Sequence, residues 1–488
     1  MRTHSVLRCL PLLADVLGKA YGVTVEIGGR DAFTTGRTIR LPSLPAQADP
    51  SFLGLVRGYI DHESAHVRHT DFDAMAKEAV SPLERHIWNC FEDWRVEELL
   101  AARFPGCRQN FRWLIRHLFL HRPSPSRSPA DRVADWLLTT VRSWAVPDLV
   151  AQCQAEAKAI ERRWPGLASE LEVILARMQD HCPDSLSCLA YAREVVARLS
   201  KRDGFDALIA APEFPDDLGQ LMRQKIGEKV EQVGRCAVAT IGEKPLAPLT
   251  GQQLADIARI TAGSRARFHG LFQASRLVRQ MPSRRGRLDC RRLHAFSVND
   301  PAVFLAHRRK PAVNTAVHIL LDASSSMRQR IDLACQCCAV LAQALRQTGV
   351  AVALTAFPGA SLVSGAPTVA PILKAGEKPH GNLLVAPSGQ TPLAEALWWV
   401  LQRTATARQD RRIILIVTDG APDNPSGTRD AIQAARSLGI EVFGLGIDAP
   451  SIVGLMPNGS ASIERLEALP AALFALLGTA LVQHGRAA

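Results

Sequence analysis

Short apolar runs alternate with amphipathic stretches of helical length from Ala312 onward. The first run, 317–321, is interrupted only by His318, which is typical of a strand buried on both faces of a parallel sheet. Further strand-like or helical segments follow at 331–347, 350–357, 393–404, 413–419, 426–438, 440–447 and 463–482. This alternation predicts an α/β domain over residues 312–488 with a doubly wound, mostly parallel sheet.

Helical periodicity dominates the chain before this domain. An opening helix over 1–20 precedes two β-like runs, 23–27 and 37–41, with glycines between them that suit turns. Helical patterns return over 82–104, 111–120 and 130–199. We therefore predict a mainly α-helical α+β region over 1–120, a helical extension over 121–203 and a hinge with short helices over 204–311.

Residues 62–66 read His-Glu-Ser-Ala-His, which is an H-E-x-x-H pattern. On a helix, His62 and His66 are four residues apart, so both imidazoles project from one face toward one ion. Glu63 lies beside them without being a ligand, and it can act as a general base on a metal-activated water. The pattern predicts a Zn²⁺ site of the metallopeptidase (zincin) type, with Glu63 as its catalytic residue. A structural metal site remains the alternative, because the motif also occurs in unrelated helices.

Such a site needs a third protein ligand, and the helical segment over 82–104 offers three carboxylates. Glu92 is the first choice and Asp93 the second, while the other carboxylate or Glu97 could orient a histidine from behind. Two further histidines, His69 and His86, are either substitute ligands or ordinary surface side chains. The two β-like runs ahead of the motif also suit a zincin-like fold, in which the substrate lies along a small sheet beside the motif helix.

Hydroxyl and carboxylate side chains follow the predicted strand at 317–321. Asp322, Ser324 and Ser326 stand at its carboxyl end, where open α/β sheets bind ligands. All three offer hard oxygen donors that suit Mg²⁺. With Thr391 at a helix start and Asp419 at the end of a later apolar run, the pattern resembles the von Willebrand factor A (VWA) fold and its metal-ion-dependent adhesion site. The resemblance implies that a partner's carboxylate completes the coordination, so the site is a docking point.

Charge and cysteine content narrow the function classes further. The net charge of +11 allows an acidic partner or nucleic acid, and the arginines concentrate between Arg265 and Lys310. That stretch matches no nucleic-acid-binding motif and has few aromatic residues, so a solvated linker or a surface for an acidic protein is favoured. The cysteines number 11, an odd count in a long chain, which favours reduced thiols in a cytoplasm. Neither a signal peptide nor a membrane span is predicted.

The chain as a whole resembles the T-type (CobT-like) VWA subunit of aerobic cobaltochelatase and its relatives. The resemblance rests on residues 38–45 (TIRLPSLP), 91–97 (FEDWRVE) and 286–293 (GRLDCRRL), together with the adhesion site that begins at Asp322. It implies a ring-forming AAA+ ATPase of the MoxR or chelatase type as partner. The adhesion site would dock on that ring, and the protein would convey ATP-driven motion to a client protein.

Two departures from that family separate two hypotheses. The linker before the VWA domain is short and basic, whereas the chelatase subunits have a long acidic spacer, and the motif at 62–66 is intact. The first hypothesis is an adaptor whose zinc site cuts or grips a client. The alternative is a non-catalytic cobaltochelatase subunit of cobalamin biosynthesis, a scaffold for cobalt insertion in which the zinc site is structural or inactive.

Overall fold

The computed structural model describes residues 10–28, 33–42, 44–45, 49–120, 129–211, 218–232, 235–259, 261, 279–283, 287–288, 304–308, 314–360, 367–378, 380–457, 459–464, 468, 471–472 and 475–476. The chain divides into two units, Met1–Arg235 and Cys236–Ala488. None of the helices in these residues combines the length and apolarity that crossing a membrane requires.

Helices form most of the first unit, as the sequence predicts. They are α1 (Leu10–Tyr21), α2 (Pro50–His69), α3 (Phe72–Met75), α4 (Pro82–Arg103), α5 (Pro105–Phe119), α6 (Pro129–Ser143), α7 (Val150–Arg163), α8 (Leu167–Asp180), α9 (Ser185–Leu199), α10 (Asp206–Ile209) and α11 (Leu218–Gln232). The strands are β1 (Thr24–Ile27), β2 (Phe33–Thr35), β3 (Thr38–Leu41), β4 (Leu44–Pro45) and β5 (Arg235–Cys236). In a small sheet, β3 lies between β1, to which it is parallel, and β2, to which it is antiparallel.

Local sequence signals set the bounds of the two helices that carry the candidate zinc ligands. Asp49 caps α2 by accepting a hydrogen bond from the Phe52 amide, with Pro50 at the first helical position. A capping box formed by Ser81 and Glu84 begins α4. Most of the last three turns of α2 before His66 is buried, so the H-E-x-x-H segment faces the interior of the unit.

The second unit contains a seven-stranded sheet. Its elements are β6 (Thr240–Ile241), β7 (Leu246–Pro248), α12 (251–259), β8 (Arg279–Ser283), β9 (Arg287–Leu288), β10 (Phe304–Arg308), β11 (Thr315–Asp322), α13 (Ile331–Gln347), β12 (Ala351–Phe357), β13 (Thr368–Leu373), β14 (Asn382–Val385), α14 (Leu393–Ala405), β15 (Arg411–Thr418), α15 (Pro425–Ser437), β16 (Ile440–Ile447), α16 (Ser451–Leu455) and β17 (Ser460–Ile463). The strand order is β17-β16-β15-β11-β12-β13-β6. Only the β12–β13 pair of this sheet is antiparallel.

Both faces of the central strand β11 are covered, which confirms the predicted doubly wound, mostly parallel sheet. Val317 and Ile319 belong to a core that includes the cysteines of α13. His318 lies on the opposite face, where its ring makes an edge contact with Trp399 of α14. Cys335, Cys337 and Cys338 are buried in the same core as Val317 and Ile319, where they fill space between the helix and the sheet.

The described parts of the expected hinge over 204–311 fall in both units. Helices α10 and α11 lie within the first unit. Beyond the boundary, β6 pairs with β13, β7 pairs with β14, and Leu249 and Ile257 join the core of the second unit. The residues before the boundary thus belong to the first unit, and strand pairing and apolar burial join those after it to the second. Most of the basic stretch 265–310 and most of the helical region expected at 463–482 lie outside the described residues.

Candidate functional site

Two histidines and one carboxylate meet in the first unit. His62 and His66 come from α2 and Asp93 from α4, and one ligand atom of each lies within 4.8 Å of the others. Asp93 Oδ1 is 3.0 Å from His66 Nε2 and 3.9 Å from His62 Nε2. Around a tetrahedral zinc ion, two nitrogen or oxygen ligands lie roughly 3.4 Å apart. The three side chains therefore fit a zinc ion with little adjustment.

Hydrogen bonds behind the two imidazoles orient them. His62 Nδ1 lies 2.9 Å from Glu97 Oε1, and His66 Nδ1 lies 3.0 Å from Thr70 Oγ1. Both Nε2 atoms are thereby directed toward Asp93. Partners of this kind fix the tautomer and raise the basicity of metal-binding histidines. Glu97 thus lies where the sequence analysis placed an orienting carboxylate.

Arg142 holds the two carboxylates in place, and sequence reasoning missed it. Its Nη2 donates to Asp93 Oδ2 at 2.7 Å and its Nη1 to Glu97 Oε2 at 2.8 Å. The guanidinium is 1% exposed. This clamp leaves Asp93 Oδ1 for the histidines and Glu97 Oε1 for His62. The sequence feature that could have revealed this role is the position of the arginine beside Val141, within the apolar face of α6.

The electrostatics of this group favour charged forms. Burial opposes ionisation of Asp93, but His62, His66 and Arg142 together hold its pKa well below the ordinary range. Burial also opposes protonation of His62, yet Asp93, Glu97 and Glu63 raise its pKa to about 9. The same negative potential that stabilises a proton on His62 would also stabilise a divalent cation bound there. The group is therefore suited to bind a cation.

Glu63 stands beside the three candidate ligands and is not one of them. Its Oε2 accepts a hydrogen bond of 2.7 Å from Thr34 Oγ1, on the sheet-edge strand β2. The phenol of Tyr59 lies close by, and burial together with the Glu63 charge raises its pKa. A carboxylate in this position is suited to accept a proton from water.

Glu92, the first choice for the third ligand, is engaged elsewhere. Its Oε1 accepts hydrogen bonds from Thr70 Oγ1 at 2.9 Å, Arg95 Nη2 at 2.6 Å and Ser185 Oγ at 2.7 Å. The structure thus brings the second choice, Asp93, to the histidines, because adjacent residues on a helix point about 100° apart. The two other histidines, His69 and His86, are not members of the group.

A second polar cluster lies at the carboxyl end of the sheet in the VWA-like unit. Asp322 Oδ1 accepts a hydrogen bond of 2.8 Å from the Ser324 amide, and Ser324 Oγ is 3.0 Å from Ser326 Oγ. Ser326 Oγ donates to Asp419 Oδ1 at 2.6 Å. A Cβ atom on Gly420 would lie 3.6 Å from Thr391 Oγ1 and 4.0 Å from Ser326 Oγ, so Thr391 faces the same edge. All five predicted residues therefore meet there.

Cationic side chains border this cluster. Arg330 Nη1 donates to Asp419 Oδ2 at 3.0 Å. Lys244, between β6 and β7, donates to the carbonyls of Pro358 at 2.7 Å and Ala323 at 3.2 Å. Burial lowers the pKa of Lys244 to about 8, although the Asp322 charge opposes this. Sequence reasoning placed Lys244 in a hinge and missed it.

Burial is the largest influence on the carboxylate of Asp322. Burial raises its pKa, and the Asp419 charge adds to that effect, while hydrogen bonds from Thr418 and Ser324 oppose it. Two carboxylates and three hydroxyls at one sheet edge form an oxygen-rich donor set. These residues fit a hard divalent cation such as Mg²⁺.

Part of the chain is similar to solved structures. One is the pilus adhesin SpaC from Lactobacillus rhamnosus GG, at 15% identity over 35% of this chain and 30% of that chain, with a TM-score of 0.31. Another is proximal thread matrix protein 1 from the mussel byssus, with a zinc occupied MIDAS motif, at 14% identity over 34% of this chain and 46% of that chain, with a TM-score of 0.28. The chain spans less than half the length of both proteins. Manganese-loaded TRAP protein of Plasmodium vivax matches at 14% identity over 34% of this chain and 73% of that chain, with a TM-score of 0.25.

Two models of one protein family match the chain. The model described as "Cobalamin biosynthesis protein CobT" matches residues 2–184. The model described as "Cobalamin biosynthesis protein CobT VWA domain" matches residues 303–387. Together the two matches cover more than half of the chain. The chain is therefore a CobT-like protein with a C-terminal VWA domain.

Proposed function

We propose that the protein is a non-catalytic subunit of a cobaltochelatase-type complex, which acts as a scaffold for cobalt insertion in cobalamin biosynthesis. Both matched family models carry the description of a cobalamin biosynthesis protein. They favour this hypothesis over the peptidase adaptor that the sequence analysis puts first. Cobalt is cargo of such a complex, so the resident metals of the chain are a separate question.

The cluster at the VWA sheet edge supports a docking role. Asp322, Ser324, Ser326, Thr391 and Asp419 would hold Mg²⁺ there, and a carboxylate from the partner would complete its coordination. The partner would be a ring-forming AAA+ ATPase of the MoxR or chelatase type, which would drive motion of a bound client protein. The observation that carries this proposal is the convergence of the five side chains on one edge of the sheet.

An ATPase-binding assay tests the docking role. The full chain and the chelatase-type AAA+ protein of the same organism would be mixed with ATP, and binding would be measured with Mg²⁺, or with Mn²⁺ in place of Mg²⁺. We expect Ser326→Ala and Asp322→Asn to lower affinity roughly tenfold or more in either metal, because the first removes a hydroxyl ligand and the second replaces a charged carboxylate by a weaker, neutral amide oxygen. Asp423→Asn is the matched control, since Asp423 is an exposed acid near the same edge. Equal affinity of all three variants and the parent would refute the proposal.

A zinc centre in the first unit is the second candidate, and the contacts of His62, His66 and Asp93 favour it. With zinc bound, the ion would supply Lewis-acid activation of a water molecule. Glu63 would accept the proton from that water, and its hydrogen bond with Thr34 would hold the carboxylate in position. A peptide lying along the edge strand β2 would pass beside Glu63. This arrangement would make the unit a metallopeptidase of the zincin type.

The metal content of the protein distinguishes a zinc centre from a cluster of polar side chains that binds no metal. We expect the full chain to bind about one zinc ion at the first unit, and His62→Ala with His66→Ala to abolish it. Mass spectrometry of the purified proteins measures this directly. Zinc-loaded Glu63→Gln then tests catalysis, because it keeps the ligands and removes the base. Cleavage of a peptide library by the parent but not by this variant would establish a peptidase, whereas zinc without cleavage would leave a structural site.

A further inference from the structure

Two thiols outside both candidate metal sites contact each other. Cys182 lies in the loop between α8 and α9, and Cys188 lies in the first turns of α9. Their sulfur atoms are 3.2 Å apart. Cys188 is buried, whereas Cys182 is partly exposed. Neither the docking role nor the zinc centre uses these side chains.

Their surroundings make the two thiols unequal. The hydrogen bond with Cys188 and the charge of Arg95 lower the pKa of Cys182, although burial opposes them. Cys188 keeps its proton, because its contact with Cys182 and its burial raise its pKa. A thiolate is the nucleophile in cysteine chemistry. Cys182 is thus the partly exposed, more reactive member of the pair, and Cys188 is positioned to resolve it.

The segment that links the two thiols also contacts the outer shell of the histidine group. Ser185 lies midway between the two cysteines, and its hydroxyl donates to Glu92 Oε1 at 2.7 Å. Glu92 Oε1 also accepts from Thr70 Oγ1, which lies 3.0 Å from His66 Nδ1. A shift of Ser185 would therefore reach a candidate zinc ligand through two side chains.

We propose that Cys182 and Cys188 are a redox modification site, that a hydroperoxide converts them to a disulfide, and that this bond weakens zinc binding at His66. The last part, the effect on zinc binding, rests on the proposed zinc centre. A disulfide bond is about 2.05 Å long, so the sulfurs must approach by roughly 1 Å. The loop carrying Cys182 and the first turns of α9 would supply that movement, and Ser185 would move with them.

The reaction balances with one peroxide per disulfide. The Cys182 thiolate attacks one peroxide oxygen, the O–O bond breaks, and Cys182 becomes a sulfenic acid while hydroxide leaves. The Cys188 sulfur then attacks the Cys182 sulfur, the S–O bond breaks, and water leaves with the Cys188 proton. Two thiols lose two electrons, and hydrogen peroxide is reduced to two waters.

Mass spectrometry of the full chain tests the thiol site. After brief treatment with equimolar hydrogen peroxide, we expect an intact mass lower by two hydrogens, a 182–188 linkage in the peptide map and reversal by dithiothreitol. Cys182→Ser and Cys188→Ser should block the linkage, whereas Cys335→Ser, which changes a buried thiol, should not. Absence of the linkage in a folded parent, or a faster linkage elsewhere, would overturn the proposal.

Zinc dissociation into a chelator tests the coupling on the same samples. We expect the oxidised parent to release zinc roughly tenfold faster than the reduced parent, because disturbing an outer-shell partner lowers metal affinity by roughly 10–100-fold. Peroxide-treated Cys188→Ser should release it at the reduced rate. Equal rates in a fully linked parent would refute the coupling and leave the thiol site. A reduced parent without zinc would refute the zinc centre and the coupling, while the peptide map would still decide the thiol site.

Discussion

At the scale of single residues, the contacts around α4 assign different roles to neighbouring carboxylates. Asp93 faces the histidines, whereas Glu92 is bound by Arg95, Thr70 and Ser185. Burial makes each arrangement specific, because an unpaired carboxylate in the interior is costly. Roles at this site therefore follow from which partner each carboxylate meets.

Replacing the two carboxylates separately tests this assignment. We expect Asp93→Asn to lose zinc, because an amide is a much weaker ligand than a carboxylate. Glu92→Gln should keep zinc with an affinity lowered by roughly 10–100-fold, the range for outer-shell partners. Equilibrium titration of the metal-free proteins measures both. If Glu92→Gln lost zinc while Asp93→Asn kept it, the assignment would be reversed.

Removal of Arg142 should affect stability as well as metal binding. Arg142→Met leaves Asp93 and Glu97 without their shared partner, and breaking a buried ion pair from one side costs roughly 3–5 kcal/mol. Denaturant unfolding followed by tryptophan fluorescence would report the loss. Arg132→Met on the same helix is the control, because Arg132 is exposed. Similar losses in both variants would show that the clamp contributes little.

At the scale of secondary-structure elements, close helix packing positions the H-E-x-x-H segment. A Cβ atom on Gly54 of α2 would lie 2.4 Å from the Trp113 ring on α5, and one on Gly58 would lie 2.9 Å from Leu114 Cδ2. Glycines one turn apart thus let α2 approach α5. No periodicity argument predicts this approach, since it depends on the partner helix.

Gly54→Ala is expected to destabilise the first unit despite the higher helix propensity of alanine. Overpacking against the Trp113 ring should cost roughly 1–3 kcal/mol. Gly106→Ala is the matched control, because a Cβ atom there meets nothing within 4 Å. Thermal unfolding of the two variants would show the difference. A neutral Gly54→Ala would mean that Trp113 moves aside without cost.

The central strand carries a buried histidine that should make the second unit sensitive to acid. His318 Nε2 lies 2.8 Å from Thr355 Oγ1, and burial, with a smaller contribution from Arg403, lowers its pKa to about 4. The folded pKa is below the unfolded value of 6.5, so unfolding takes up a proton between these values. The contribution of His318 to the free energy of unfolding should thus be complete above pH 6.5. It should fall toward pH 4, by at most about 1.4 kcal/mol per pH unit. Urea unfolding at pH 7 and pH 5 should show a smaller difference in His318→Gln.

At the scale of the whole molecule, the chain consists of two units with different candidate ions. The first carries nitrogen and carboxylate donors, and the second carries hydroxyl and carboxylate donors. Borderline ions such as zinc suit the first set, and hard ions such as magnesium suit the second. The family match spans parts of both units.

Each ion should stabilise only its own unit. In calorimetry of the full chain, we expect zinc to raise the midpoint temperature of one unfolding transition and magnesium that of the other. An ion that binds only the folded form stabilises it by an amount that grows with the concentration of the ion. Asp322→Asn should remove the magnesium response and leave the zinc response unchanged. A single transition that both ions shift equally would contradict this independence.

Local periodicity in the sequence is enough to predict several features of this fold. Apolar runs and helical patterns specify β11, β12, β15 and β16, and the residues after such strands must meet at one edge of a parallel sheet. Spacing by four likewise places His62 and His66 on one helical face. Tertiary structure alone decided what depends on packing between distant segments. Packing between distant segments orients Asp93 toward the histidines, places Arg142 of α6 beside it, and pairs β6 with β13 of the sheet. Such contacts leave no periodic trace in the sequence.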